Sequence, residues 1–452
     1  MNKMIIKIKP SEQKAADNVL FVSKPLIQAL SLPPQLIIQC GRREYQVIIS
    51  SLQTDENIFE CSLSCLNSLS LPVENFMIHA SVTNKNKLML SPVIAVLTEI
   101  RKEEENLLFG PITGFCEEMA QYCQRHGFFF YVCSLKSFLR SSIKGYIRLH
   151  DCWTLADVPY PDVVHNRLHS RKVEKTMLFQ KAVERMKKEG TPYFNAHFLD
   201  KWSIFTLLSS FDHLCPYLPE TYQLHKKEDL IDALSSHSAI FLKPIHGSQG
   251  KHIFRIKQED QVYHVDYTTF SQPYEKEHLT FHSLFQSLYT QFTKQSFLIQ
   301  KALPLQTYKG CPFDFRILCH RIKETEWKVT SLVARVSQQG NFVSNLARGG
   351  EIVNVHAVLQ ETYDRRTTKQ VIKLLKELSL DICHCITVST NGLFAELGID
   401  LAIDTDGHPW IIEINTKPSK QQNSITDKTF RPSTKAIVQY CAYLAGHSIE
   451  EV

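Results

Sequence analysis

The stretch from Gly398 to Pro418 constrains this chain more than any other. Apolar and β-branched residues run over 399–403. A turn follows at Asp404-Thr405-Asp406-Gly407, and a second strand runs over 410–414. Asp-Gly between two such runs is a strong short-range hairpin signal. Side chains on a strand repeat every two residues, so Glu413 and Asn415 share a face. Asp400 lies on the opposing strand, where pairing carries it alongside them. Two carboxylates and an amide oxygen form a hard-oxygen set of the kind Mg²⁺ takes when phosphates complete its shell. The competing reading is a hairpin with solvated acids. The Asp404–Gly407 turn alone fits that, whereas Glu413 and Asn415 interrupt an apolar strand, and a buried acid needs a partner.

The rest of the chain supplies what such a hairpin has to face. Ala239-Ile240-Phe241-Leu242-Lys243-Pro244 reads as a buried strand ending in a lysine. His246-Gly247-Ser248-Gln249-Gly250-Lys251 follows, and strand resumes at 253–256. A Gly-x-x-Gly loop between two strands lets backbone N–H groups approach phosphate oxygens, with Lys243 as a point charge beside them. A tight hairpin with a surface lysine is the alternative. The loop joins strand to strand and lacks Gly-Lys-Ser/Thr, which excludes a Walker-A loop. Upstream, Asp200 is placed to cap a helix over 199–208. Lys201 then sits at that helix's N-terminus against the dipole preference, a position an anionic ligand would relieve; a solvated lysine is the alternative. Residues 297–304 form an apolar strand that breaks at Pro304, so its end can present backbone groups to an adenine edge. In Phe313-Asp314-Phe315-Arg316 the arginine lies among apolar neighbours and needs an anion, with Asp314 on its own strand face as the local candidate. Arg335 lies inside a further strand over 327–336. Residues 341–350 are a polar, Gly-ended loop. A long helix is expected over 362–378.

The first half divides differently. Ala29-Leu30-Ser31-Leu32-Pro33 recurs as Ser68-Leu69-Ser70-Leu71-Pro72, each copy after a turn of helix and before a strand-like run. This echo indicates a duplicated unit and a small pseudo-twofold β-barrel over residues 1–90. No catalytic constellation appears there, so the region is read as a docking module for a protein partner. From Ser91-Pro92 the pattern becomes strand (93–97), helix (113–126, stopped by Gly127), strand (128–133), a hairpin over 143–155, a strand at 163–167 and a helix over 172–189. That is a Rossmann-like α/β unit over 91–190.

Net charge is +5, too small to argue for a nucleic-acid partner. No apolar run reaches membrane-spanning length, and the first nine residues alternate like a strand without a signal-peptide core, so cytoplasmic residence is expected. The odd number of cysteines, 13, scattered through apolar segments, suits reduced and mostly buried thiols. Cys383-His384-Cys385 has metal-ligand residue types. No second cluster lies near it, and strand alternation would splay the cysteines away from His384, so it is read as structural.

In order, then, the chain offers a lysine at a helix start, a strand-end lysine with a Gly-rich loop, an apolar hinge strand, two intrastrand arginines and Asp-x12-Glu-x-Asn. The set resembles the ATP-grasp superfamily, and most closely the YheC/YheD family of spore coat-associated proteins of endospore-forming bacteria. The resemblance extends to Ser91-Pro92-Val93-Ile94-Ala95-Val96-Leu97, Pro161-Asp162-Val163-Val164-His165-Asn166-Arg167 and Phe313-Asp314-Phe315-Arg316. It implies an α/β (α+β) chain: an ATP-grasp domain over 191–452, preceded by the α/β unit and the barrel. It also implies that Lys201 and Lys243 hold ATP phosphates and that Gly247, Ser248, Gln249 and Gly250 close over them. Gln300, Lys301 and Leu303 would line the adenine pocket, although related enzymes often carry Glu where Gln300 stands. Arg316 and Arg335 would steady phosphates or an acyl-phosphate. Asp400, Glu413 and Asn415 would bind one or two Mg²⁺, and Asn345 and Arg348 would face the acceptor. The implied activity is a carboxylate–amine ligase acting on small carboxylates and amines, a peptide or a coat protein, in the mother-cell cytoplasm or at the spore coat. The alternatives are a coat-associated protein that binds ATP without turnover, and a phosphotransferase.

Overall fold

The N-terminal echo becomes a closed barrel. Two seven-residue helices, Lys24–Leu30 and Leu63–Leu69, each end on a left-handed serine, Ser31 (φ 51°) and Ser70 (φ 56°). In both, the next leucine's N–H returns to the helix: Leu32 to Ile27 and Leu71 to Leu66. Each helix then feeds a strand, Gln35–Cys40 or Phe76–Asn84. Seven strands close the barrel in the order Lys3–Pro10, Ile58–Cys61, Val19–Ser23, Arg43–Leu52, Gln35–Cys40, Lys87–Leu90, Phe76–Asn84. The structure is a computed structural model. It describes residues 3–11, 17–84, 86–101, 108–247, 252–268, 273–338, 350–420, 430–447 and 449.

The next sheet is built on the apolar run Val93–Leu97, buried on both faces as a central parallel strand must be. It pairs in parallel with Phe129–Cys133 and Val163–Asn166, and the latter with Tyr193–Phe194. The antiparallel hairpin Ile143–Leu149/Cys152–Val158 extends the other edge. One face of this sheet, through Val93, Ala95, Leu97, Phe129 and Tyr131, belongs to the same apolar core as the barrel interior. The other face packs under the helix Thr113–Arg125 and the C-terminal helix Pro432–Leu444. The helix expected over 172–189 is two helices, Arg171–Glu174 and Met177–Lys188, because Thr176 stops the first and caps the second by accepting from the Phe179 N–H.

Two further sheets follow. One runs Thr221–Leu224, Phe297–Lys301, Ala239–Pro244, Phe254–Glu259, Val262–Thr268, Pro273–His278, with helices Lys227–Ser236 and Phe281–Phe292 covering its core. The other runs Glu351–Val353, Trp327–Val336, Cys311–Arg321, Glu396–Ile403, Pro409–Asn415. Its inner face (Phe313, Phe315, Ile317, Leu397, Ile399, Leu401) packs against the helices Lys201–Ser209 and Arg365–Ser389. Two backbone bonds tie the connector leaving the first of these sheets to the hairpin turn: Gln306 N–H to the Ile403 carbonyl and Thr405 N–H to the Pro304 carbonyl, both 2.9 Å.

The long helix continues to Ser389 instead of ending at 378, so Cys383-His384-Cys385 lies on a helix and not on a strand. Helical spacing sets Asp381 and Cys385 one turn apart, next to His213, whose Nε2 lies 2.9 Å from an Asp381 carboxylate oxygen. All thirteen cysteines are free thiols and ten of them are buried. Among the described residues no helix is long and apolar enough to cross a membrane.

Candidate functional site

The hairpin strands are Glu396–Ile403 and Pro409–Asn415. Asp400 pairs directly with Glu413, and Gly398 with Asn415. A bulge lies after Asp400: Leu401 pairs with Ile411, leaving Ile412 as the extra residue. Strict alternation would put Ile411 on the face of Glu413. The bulge instead lets Ile411 and Ile414 both enter the core, while Ile412, Glu413 and Asn415 line the cleft. Asp404 is nearly buried, accepting from the Asp406 and His408 N–H groups and from Trp410 Nε1, so it organises the turn.

On the next strand Asp314 and Arg316 share the cleft face, since the alternate residues Phe313, Phe315 and Ile317 fill the core. Asp314 is not the partner of Arg316. Arg316 sits across from Asp400 and grips both of its oxygens, with Nη2–Oδ2 at 3.0 Å. Asp314 instead holds Arg335, whose Nε and Nη2 each donate at 2.6 Å. A second bond from Arg335 Nη2 reaches Asp400 at 3.0 Å. Burial works against both charges, yet the pairing wins: Asp400 is held below the usual carboxylate range by the two arginines, and Arg335 is raised by Asp400 and Asp314.

The other cations converge from opposite sides. Asp200 caps the helix Lys201–Ser209 by accepting from the Ser203 N–H at 2.8 Å. Lys201 is not left against the helix dipole: its Nζ donates to Glu413 at 2.5 Å and to the Gly247 carbonyl at 3.2 Å. Lys243, at the end of its strand, donates to Gln300 Oε1 at 2.5 Å, and Gln300 Nε2 donates to Thr221 at 2.9 Å. Burial pushes the Lys243 ammonium down to about 8, against the pull of Glu413. Lys301 and Leu303 line the same space. Ser248, Gln249, Gly250, Asn345 and Arg348 lie outside the described residues.

These groups surround one cleft of about 1730 Å³, walled by the two sheets and by the residues that follow the parallel strands Val93–Leu97 and Val163–Asn166. Ligand pockets commonly span ~300–1,000 Å³, so the cleft has room for a nucleotide and a second molecule. The outer ends of parallel strands are where open α/β sheets place ligands.

A second charged centre, not singled out from the sequence, stands on the same sheet face. Glu396 is fully buried, four residues before Asp400. It accepts from Arg167 Nη1 (2.9 Å), His320 Nε2 (3.1 Å), Asn195 Nδ2 (3.3 Å) and Lys420 Nζ. A lone acid in Phe394-Ala395-Glu396-Leu397 carried the same signal that marked Glu413.

A family model described as YheC/D-like ATP-grasp matches residues 190–444, more than half of the chain. The chain is 25% identical over 425 residues to the endospore coat-associated protein YheD of Bacillus subtilis (strain 168), covering 90% of this chain and 89% of that protein. It is 23% identical over 291 residues to the endospore coat-associated protein YheC of the same strain, covering 63% and 77% respectively. Among solved structures, the D-alanyl-alanine synthetase A of Vibrio cholerae O1 biovar eltor str. N16961 is 13% identical at a TM-score of 0.44, covering 79% of this chain and 99% of that one. With two facing α/β sheets, an intervening cleft and this family match, the chain belongs to the YheC/D-like ATP-grasp family.

Proposed function

We propose that the chain is a Mg-ATP-dependent carboxylate–amine ligase associated with the spore coat. The observation that carries this reading is the opposition across one cleft of Lys243 and Gln300 on one sheet and Asp400, Glu413 and Asn415 on the other. In this reading the 191–452 portion clasps the nucleotide, and the 91–190 unit supplies the wall for the second substrate. The coat association rests on the names of the two relatives.

The donor set fits a magnesium ion. Glu413 is part-exposed to the cleft (27% of its side chain), Asn415 follows it on the same face, and Asp400 lies directly across. These three would hold the ion, which would supply positive charge to offset that of the phosphates. Lys201 and Lys243 neutralise phosphate, and Gly247 opens the loop next to them. Arg316 and Arg335 are fixed by Asp400 and Asp314, so they offer preorganised positive charge and no reorganisation is needed at the moment of reaction. The substrate carboxylate attacks the γ-phosphorus and ADP leaves. The amine then attacks the carbonyl carbon of the resulting acyl-phosphate, inorganic phosphate leaves, and the nitrogen loses one proton to solvent. Positioning and charge neutralisation are most of the catalytic demand.

One observation favours the alternative of binding without turnover: the two arginines already satisfy both oxygens of Asp400. ADP and phosphate release with amino-acid and coat-peptide acceptors separates the two, comparing wild type with Glu413→Ala. Acceptor-dependent release by wild type alone supports the ligase. Mg-ATP binding with no product from any acceptor supports the alternative, and failure to bind Mg-ATP overturns both.

A further inference from the structure

Two parts of the cleft differ in charge. In the nucleotide part Lys201, Lys243, Lys301, Arg316 and Arg335 line the wall. Asp314, Glu351, Asp400 and Glu413 line it with them, so five cations meet four carboxylates. Where the residues after Val163–Asn166 and after Pro409–Asn415 form the wall, Arg167, Arg171, Lys172, Lys417 and Lys420 line it, and no carboxylate does among the described residues. The acids here stand behind the wall and are committed. Glu174 holds Lys417, Glu396 is shared between Arg167 and Lys420, and Glu99 accepts the backbone N–H groups of His169 and Ser170.

Two arginines there keep donor capacity. Arg171 is half-buried over the Phe198 ring at 5.2 Å; burial lowers its pKa, and Asp200, Glu413 and Glu174 act on its charge without forming a direct ion pair with it among the described residues. Its contacts are the Leu199 carbonyl and His246 Nδ1, both long at 3.4 Å. Arg167 is 2% exposed, and its Nε has no hydrogen-bond partner among the described residues. A guanidinium stays charged throughout the usable pH range, and a poorly solvated one gains most from a carboxylate. His169, beside them, is pushed down to about 4 by burial and by Arg167, as expected where positive potential accumulates.

We propose that this part of the cleft holds a side-chain carboxylate of the acceptor, over and above any terminal one, so that the acceptor is glutamate- or aspartate-bearing. Arg171, Lys172 and Arg167 form the anion site. This rests on the ligase reading above and narrows it from any amine to an acidic one.

The test is binding of acceptors to the full chain saturated with Mg²⁺ and a non-hydrolysable ATP analogue. Free glutamate, triglutamate, trialanine and trilysine are titrated into wild type, Arg171→Gln, Lys172→Gln and the conservative Arg171→Lys. Triglutamate or free glutamate is expected to bind at least tenfold more tightly than trialanine or trilysine. Binding of free glutamate marks a single-residue acceptor, and binding of triglutamate alone marks a peptide. Arg171→Gln is expected to lose at least tenfold toward the acidic ligand, with Arg171→Lys recovering part of it and the melting temperature near wild type. Equal affinity for triglutamate and trialanine, or no loss in Arg171→Gln, overturns the proposal. Nucleotide affinity is measured in the same samples. Nucleotide binding without acidic-acceptor preference sinks this inference alone, whereas absence of nucleotide binding sinks the ligase reading beneath it.

Discussion

Asp400 and Glu413 face each other across the hairpin, yet each carboxylate is held by different cations: Asp400 by Arg316 and Arg335, Glu413 by Lys201. The inner acid is locked and the outer one is exchangeable, so the two differ in what their removal does.

Glu413→Gln is expected to weaken Mg-nucleotide binding by at least roughly 10–100-fold, the range for losing a group that merely supports a metal ligand. Lys201 would lose its 2.5 Å carboxylate partner but keep the Gly247 carbonyl at 3.2 Å and can donate to the glutamine oxygen, so the melting temperature should move little. Titration calorimetry against thermal unfolding checks both halves. A large loss of stability with unchanged nucleotide affinity would show that the pair is structural.

Arg335→Ala should behave in the opposite way. It leaves Asp314 and Asp400 buried with less positive charge, and breaking one side of a buried ion pair costs about 3–5 kcal/mol. Urea unfolding reads this directly. Arg335→Met combined with Asp314→Leu should recover part of the loss, because it removes a charge of each sign together.

Lys243 sets a pH dependence. In the free protein burial lowers its ammonium to about 8. A bound polyanion favours the protonated form, so binding above pH 8 must take up a proton, and affinity falls as pH rises. The expected slope approaches tenfold per pH unit above about 8 and flattens below it. Lys243→Arg, which stays charged, should remove the break. A pH-independent affinity for the wild type between pH 7 and 10 would rule out Lys243 as a phosphate contact.

Gly398 is a packing constraint on the same hairpin. A Cβ there would lie 2.8 Å from Pro418 Cβ. Gly398→Ala should cost about 1–3 kcal/mol by overpacking. It should also displace the 416–420 segment that carries Lys417 and Lys420, lowering acceptor affinity more than nucleotide affinity.

Much of this was legible in the residues because it is local. The hairpin, its Asp404–Gly407 turn, the Asp200 cap and the paired serine-ended helices of the barrel each depend on a few neighbouring side chains. What was not legible depends on register. The strand pattern offers Arg316 a partner two residues away, Asp314, whereas Asp400 is 84 residues further on and arrives only through sheet pairing. The bulge at Ile412 shifts the alternation by one and leaves no mark on an all-apolar Trp410-Ile411-Ile412. Glu396 gathers Arg167, His320 and Asn195 from 229, 76 and 201 residues away, so only the rule that a buried acid needs partners pointed toward it. Around Cys383-His384-Cys385 the β-branched and apolar residues read as strand, although they continue a 25-residue helix.

The apolar core shared by the barrel and the face of the 93–166 sheet bears on how the molecule melts. Ile6, Leu20 and Leu88 of the barrel and Val93, Tyr131 and Val164 of the sheet belong to a single cluster. The described residues of 3–190 are therefore expected to melt as one cooperative unit. In calorimetry this part of the chain should give one transition, not two, and a truncation that removes the barrel should expose a broad apolar surface and aggregate.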